Sequence, residues 1–356
     1  MISTESFFGQ PCAAASFCCY RALLVASKST NPIRRDMSSF EELYLAANPD
    51  VAAAVRNGKF ESGMQHYLMF GKAEQRSLVP VLLSAQQLSS DLVKSKARKL
   101  ESIAPLLRTD MPSTSSEMFY DFLSPELSAQ FDVVDTGPVS GNDYDSHVLE
   151  LIARHRHGLI LDCGAGNRST YYENVVNLEI AALASTDVRG VAEMLPFVDN
   201  SFDAVVALSI LEHVKDPFRC AAEIQRVLKP GGELICCASF LQPYHGYPNH
   251  YYNMTHQGLR NLFAATIEID RIDVYDSVRP LWSLAWIINS WADGLTDTCR
   301  DDFLNMRLQD FLSSPAVFLS APFVTELSPT KNLELASACA LFGKKRAGKD
   351  EKLSAQ

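Results

Sequence analysis

No apolar run in this chain reaches the length of a membrane span, which takes about 20 residues. The stretch from Pro11 to Ala26 is apolar, but Arg21 interrupts it and no basic segment precedes it, so a signal peptide is not expected. Basic charge is in short supply as well. The 32 Lys and Arg stand against 42 Asp and Glu, a formal net charge of -10. Surfaces that bind nucleic acid gather Lys and Arg against the phosphates, so no nucleic-acid partner is expected. The nine cysteines form no CxxC pair and no Cys/His zinc spacing. Cys163, Cys220, Cys236 and Cys237 sit in apolar surroundings and read as buried, reduced thiols of a cytoplasmic protein. Nor do other ligand residues cluster along the chain at a metal-binding spacing, so no metal is expected.

What is present is an ordinary globular composition, 47% hydrophobic and 21% charged, over 356 residues. That length accommodates a catalytic domain and a smaller module. Residues 1–36 have almost no acids and read as a disordered extension, with a transit peptide as the alternative. Residues 37–80 read as a small helical module. Ser38 or Ser39 caps its first helix, Asn48-Pro49 opens the second, Gly58 ends that one, and Ser62 caps a third that stops at Gly71. Residues 81–130 read as a helical linker with a breaker cluster at Pro112–Ser116. The catalytic domain is expected over 131–345 and a tail over 346–356.

Within 131–345, buried strand-like runs alternate with helical ones. Leu159–Leu161, Val175–Leu178 and Ala204–Leu208 are apolar runs, Phe218–Leu228 has helical periodicity, and Pro230-Gly231-Gly232 turns into a further strand, Glu233–Ala238. The alternation predicts an α/β fold: a parallel sheet with helices on both faces and ligands beyond the carboxyl ends of its strands. The first of these strands ends in Asp162 and runs into Gly164-Ala165-Gly166. Glycines there let the backbone approach a ligand where a Cβ would collide. The acid suits an ammonium group, such as an aminoacyl nucleoside carries, and repels a pyrophosphate. A dinucleotide-binding reading fails further, because Ser169 stands where G-x-G-x-x-G needs its third glycine.

Five segments follow in order: the glycine turn with Glu179 beyond it; Gly190-Val191-Ala192-Glu193-Met194-Leu195-Pro196-Phe197; Ser201-Phe202-Asp203; Leu211-Glu212-His213-Val214; and Arg226-Val227-Leu228-Lys229-Pro230-Gly231-Gly232. Over residues 158–240 the chain resembles the class I S-adenosylmethionine-dependent methyltransferases of the type 11 branch. The resemblance implies a Rossmann-like methyltransferase sheet whose last strand is antiparallel, a place that Ser337–Gly343 suits, with the sixth strand near Ile267–Val274. It implies S-adenosyl-L-methionine as cofactor. Asp162, Gly164 and Gly166 would frame the methionine part, Glu179 the ribose, Ala192 and Glu193 the adenine, and Leu208 would offer backbone. The chain departs from the family at Arg168, where a third glycine is frequent, and at Val191, where an acid is frequent. Separately, Asn48–Val55 and His66–Gly71 resemble an NPDV-type helical module attached to glycan-processing proteins. In that module His66 is a packing or capping residue, and residues 37–80 are a candidate surface for protein contacts.

The loop Phe240–Thr255 is rich in Tyr, His and Asn and follows the fifth strand. It resembles a segment of methyltransferases encoded among polysaccharide-synthesis proteins. Aromatic faces and polar edges suit a sugar, so the loop is expected to face the acceptor. His245, His250 and His213 are the candidate catalytic bases, and Thr255 is expected to cap the next helix. An insertion over 277–335 holds Trp282, Trp286 and Trp291; the first two share a helix face and read as a cap. The expected activity is O-methylation of a small-molecule or glycan acceptor, a saccharide or glycoconjugate precursor. Methyl transfer to another small molecule or lipid, and a non-catalytic cofactor-binding scaffold, are the alternatives.

Overall fold

The computed structural model describes residues 44–71 apart from 46, residues 74, 76, 81–82, 90–133, 139–246, 248–312, 314–341 and 343. The expected extension 1–36, the capping serines Ser38 and Ser39 and the tail 346–356 lie outside the described residues. The described residues divide into two compact units: those up to Leu241 with His245–Arg279, and Gln242–Tyr244 with those from Pro280 onward.

The first unit begins with α1 (Pro49–Arg56) and α2 (Gly63–His66). Pro49 occupies the first helical position of α1, but Asn48 turns its amide back to the Tyr44 carbonyl, 2.9 Å away, and does not cap with its side chain. Ser62 does cap α2, accepting from the Gln65 N–H. Gly58 ends α1 in the left-handed region, at φ +71°. His66 is buried and meets the Tyr44 hydroxyl at 3.0 Å, so it packs as expected.

The next elements are β1 (Val81–Leu82), α3 (Ser90–Ile103), β2 (Thr114–Ser115), β3 (Tyr120–Asp121), α4 (Pro125–Gln130) and α5 (Ser146–Arg154). Then come β4 (Ile160–Cys163), β5 (Thr170–Tyr171), β6 (Val175–Glu179), β7 (Val188–Arg189), β8 (Phe202–Leu208), α6 (Pro217–Val227), β9 (Leu228–Cys237) and α7 (His256–Phe263). Seven strands pair in the order β2-β3-β7-β6-β4-β8-β9. Every pair is parallel except β2–β3. This is the mostly parallel α/β sheet that the alternation predicts, and it is Rossmann-like.

The central strands are largely apolar because both their faces are covered. Leu161, Cys163, Val176, Leu178, Val205 and Ala207 enter one core with Cys220, Ile224 and Val227 of α6. Their sequence neighbours Ile160, Val175, Ala204 and Val206 enter the opposite core with Val148, Leu151 and Ile152 of α5. That is the two-residue period of a strand expressed on a two-sided sheet. The chain leaves β4 for β6 on one side and reaches β8 on the other, so the order reverses at β4. The carboxyl ends of β4 and β8 therefore flank the switch point where such sheets bind ligands.

Four expectations need correction. Residues 81–130 are not a linker: α3, β2 and β3 belong to this unit, and β3 pairs in parallel with β7. Lys96 and Lys99 of α3 are buried against Asp187, and the breaker cluster at Pro112–Ser116 opens a hairpin. The antiparallel pair lies at that edge and not at Ser337–Gly343, which has no strand among its described residues and leaves Leu341 93% exposed. Ile267–Val274 forms no strand; Ile267 and Ile269 pack on the core, and no strand of the sheet pairs with the segment. The Pro230-Gly231-Gly232 turn is absorbed as a bulge within β9, whose register jumps from Phe202↔Leu228 to Ala204↔Glu233.

The second unit is helical: α8 (Pro280–Asp293), α9 (Asp297–Leu304), α10 (Pro322–Thr325) and α11 (Pro329–Glu334). Trp291 anchors it, stacking on Phe303 with ring centres 5.7 Å apart and donating to the Phe323 carbonyl at 2.7 Å. Among the described residues no helix is long and apolar enough to cross a membrane.

Candidate active site

The turn after β4 is built by its glycines. Gly164 and Gly166 sit at φ +76° and +65°, where side chains are strained. A Cβ on Gly164 would lie 2.4 Å from the Ile210 side chain, and one on Gly166 would lie 2.4 Å from the Ser140 carbonyl. The Gly164 and Ala165 N–H groups both donate to the Leu178 carbonyl, tying the turn to β6.

Asp162 is fully buried beneath this turn. Its Oδ2 accepts from the Tyr144 hydroxyl at 2.5 Å and from Arg168 Nε at 2.9 Å. Its Oδ1 is buried and has no hydrogen-bond partner. Arg168, the residue in the third-glycine place, also donates to the Asn142 carbonyl at 2.6 Å and lies 4.2 Å over the Tyr144 ring. Burial and then the Asp162 charge hold the Tyr144 hydroxyl well above its ordinary pKa, so it stays a donor. Burial disfavours the Arg168 charge, but Asp162 outweighs it and the group stays ionised. One carboxylate oxygen is thus fixed by its neighbours, and the other is an acceptor in need of a donor. An ammonium group fits that need.

Glu179, at the end of β6, is also buried. Its Oε2 accepts from the Gly166 N–H and its Oε1 from the Ile180 N–H, each at 2.7 Å. Burial raises its pKa against these hydrogen bonds. A carboxylate offers about four lone-pair directions, so two bonds leave capacity for ribose hydroxyls. Val191 and Ala192 are buried where a short 3-10 helix, Ala192–Met194, begins. Glu193 sits in that helix, but its carboxylate accepts from the Lys215 N–H at 2.9 Å and braces the segment after β8. Leu208 closes β8, half-buried, and Ser209 beyond it has φ +51°.

The candidate bases meet in space. His213 follows β8, and its ring centre lies 5.1 Å from that of His245 and 5.8 Å from that of His250. His213 Nδ1 is 2.6 Å from the Asn249 carbonyl. A carbonyl only accepts, so Nδ1 carries the hydrogen and Nε2 the lone pair. His250 is engaged differently. Its Nδ1 accepts from the His245 N–H at 3.1 Å, which leaves Nε2–H to donate to Asn253 Oδ1 at 2.9 Å. Burial lowers the His250 pKa, with Asn253 opposing, so the ring is neutral. With both nitrogens committed, His250 shapes the loop, while the His213 and His245 rings meet nearly at right angles. Thr255 caps α7 as expected.

Residue patterns missed two partners. Arg168 was visible only as a departure, and its pairing with Asp162 needs the turn to be folded. Glu212 stands inside the Leu211–Val214 motif beside His213 and is fully buried. Its Oε1 accepts from the Ser239 hydroxyl, its Oε2 has no partner, and its carbonyl takes the Tyr251 N–H at 2.7 Å.

Residues 161–236 match the family model described as "Methyltransferase domain". Among curated proteins, the ubiquinone/menaquinone biosynthesis C-methyltransferase UbiE of Brucella canis is 27% identical over 180 residues, covering 49% of this chain and 61% of that protein. The chain thus spans about three fifths of the length of the curated relatives it matches. Among solved structures, a Thermotoga maritima methyltransferase described as a possible histamine N-methyltransferase aligns at 24% identity over 30% of this chain and 62% of its own, with a TM-score of 0.25. YcgJ of Bacillus subtilis aligns at 19% identity over 47% and 92%, with a TM-score of 0.28. The family match makes the segment 161–236 similar to methyltransferase domains, and the curated relative that the chain resembles is itself a methyltransferase.

Proposed function

We propose that this chain transfers a methyl group from S-adenosylmethionine to an oxygen of a saccharide or glycoconjugate precursor. The observation that carries the transfer reading is the orphaned Asp162 Oδ1 under the glycine turn, a strand away from the neighbouring imidazoles of His213 and His245. The bound cofactor supplies an activated methyl on a sulfonium. The chain's own residues hold and align. Asp162 takes the ammonium, Gly164 and Gly166 admit the methionine backbone, Glu179 takes ribose hydroxyls, Val191 and Ala192 line the adenine, and Leu208 offers backbone. A hydroxyl acceptor must also lose a proton, and His213 Nε2 or His245 accepts it.

The saccharide reading rests on the Tyr, His and Asn content of Tyr244–Asn253 and on the resemblance of residues 37–80 to a module of glycan-processing proteins. That module would also carry protein contacts. Buried free thiols at Cys163 and Cys220 suit the reducing cytoplasm. A second reading, methylation of a quinone precursor, is favoured by the similarity to ubiquinone/menaquinone biosynthesis C-methyltransferases.

Labelled S-adenosylmethionine offered with panels of saccharide and quinone-precursor acceptors tests these readings. Label on saccharide hydroxyls is the expected result. Label on the quinone ring carbon overturns the acceptor, and cofactor binding without turnover on any acceptor reduces the protein to a scaffold.

A further inference from the structure

We infer that Glu212, His213 and His245 form a binding site for a divalent transition-metal ion of the zinc class. One ligand atom from each of the three lies within 4.8 Å of the others. The site does not depend on the acceptor reading, and metal binding is measurable without turnover.

Three observations point the same way. First, Glu212 is fully buried, yet its Oε2 has no hydrogen-bond partner. A buried carboxylate oxygen left bare is costly, and a cation relieves that cost. Second, His213 has the tautomer a ligand needs. Its Nδ1–H is held by the Asn249 carbonyl at 2.6 Å, so the Nε2 lone pair is directed elsewhere. A backbone carbonyl on the far nitrogen is the usual outer partner of a metal-binding histidine. Third, the surroundings hold these groups in place. Ser239 fixes the other Glu212 oxygen, the Glu212 carbonyl holds the Tyr251 N–H, and His250 accepts the N–H of His245 itself. The ligand-bearing loop is therefore tied to the segment that carries the other two ligands.

Two imidazoles and one carboxylate are a donor set for zinc. Magnesium and calcium prefer all-oxygen shells. The chain spacing hid the site, because Glu212 and His213 are adjacent while His245 lies on the far side of β9. The site stands at the end of β8, beside the strand that carries the glycine turn. An acceptor oxygen could complete the coordination there. In the metal-loaded protein the two imidazoles are ligands, so they no longer serve as bases.

The test uses the full chain, stripped with a chelator and titrated with zinc by calorimetry, then with cobalt(II) by absorption. We expect one zinc per chain and a cobalt spectrum of low coordination number. His245→Ala and Glu212→Gln should each weaken zinc by about 100-fold or more, going beyond the 10–100-fold typical of outer-shell losses. His157→Ala, an exposed histidine outside the site, should leave zinc affinity unchanged. Glu212 is buried, so a misfolded Glu212→Gln is set aside and His245→Ala, on the half-buried loop, decides. Asp162→Asn should weaken S-adenosylmethionine but not zinc, which separates this site from the cofactor site. No stoichiometric zinc in the wild type, binding of magnesium alone, or unchanged zinc affinity in His245→Ala each overturns the inference.

Discussion

Replacing Asp187 with Asn should be the most damaging single polar change in the first unit. The Asp187 carboxylate is fully buried between two lysines of α3 that are themselves buried: Lys96 Nζ at 3.1 Å and Lys99 Nζ at 2.9 Å. It also accepts from the Tyr171 hydroxyl and from the Asn177 N–H. Burial pushes the Asp187 pKa up, but Lys99 and Lys96 outweigh it and hold it below the ordinary value. Asp187→Asn keeps the shape and leaves two ammonium groups without a counter-charge. Breaking a buried pair in this way costs about 3–5 kcal/mol. For a domain of this size that lowers Tm by about 6–20 °C, at roughly 2–4 °C per kcal/mol.

Lys99→Met should behave oppositely. Burial drives the Lys99 pKa down to about 8, with Asp187 opposing, so its charge is a net burden in the fold. Removing that charge, with Lys96 still paired to Asp187, should cost less than half as much. The pH dependence has a definite sign. The folded pKa of about 8 lies below the ordinary 10.5. Between those values the unfolded chain binds more protons, so this lysine's contribution makes stability rise as pH climbs through the window. Lys99→Met should flatten that rise. Urea melts of the three proteins at about pH 7.5 and pH 9.5 measure both effects. An Asp187→Asn loss below about 1 kcal/mol, or a Lys99→Met loss larger than that of Asp187→Asn, would refute the reasoning.

Gly166→Ala should cost about 1–3 kcal/mol and weaken cofactor binding, because the residue has positive φ and its Cβ would strike the Ser140 carbonyl; a thermal melt and calorimetry check both, and an unchanged melt would show that the turn relaxes freely. Glu179→Ala should weaken S-adenosylmethionine by about tenfold or more, the worth of about 1.4 kcal/mol; unchanged affinity removes Glu179 from the ribose site. His245→Ala should lower turnover while cofactor affinity stays near the wild-type value, and a parallel loss of both would make the loop cofactor-facing.

The sequence alone settled what depends on local pattern. The apolar runs at Leu159–Leu161, Val175–Leu178 and Ala204–Leu208 read as buried strands and fall at β4, β6 and β8, and the glycines at Gly164 and Gly166 mark the turn after β4, because backbone conformation and periodicity are short-range properties. The tertiary structure decided everything that needs a partner distant in the chain. Ile267–Val274 stands where the resemblance implies a sixth strand, yet no strand of the sheet pairs with it. Lys96 and Lys99 of α3 lie 88 or more residues from Asp187 in the chain, and only the packed helix brings them to it. Arg168 reads as a lost glycine until it closes on Asp162 and Tyr144. Glu212 reads as one letter of a motif until the loop after β9 brings His245 to it. In each case the energy lies in desolvating a polar group against a specific partner, and chain order does not record which groups the fold brings together.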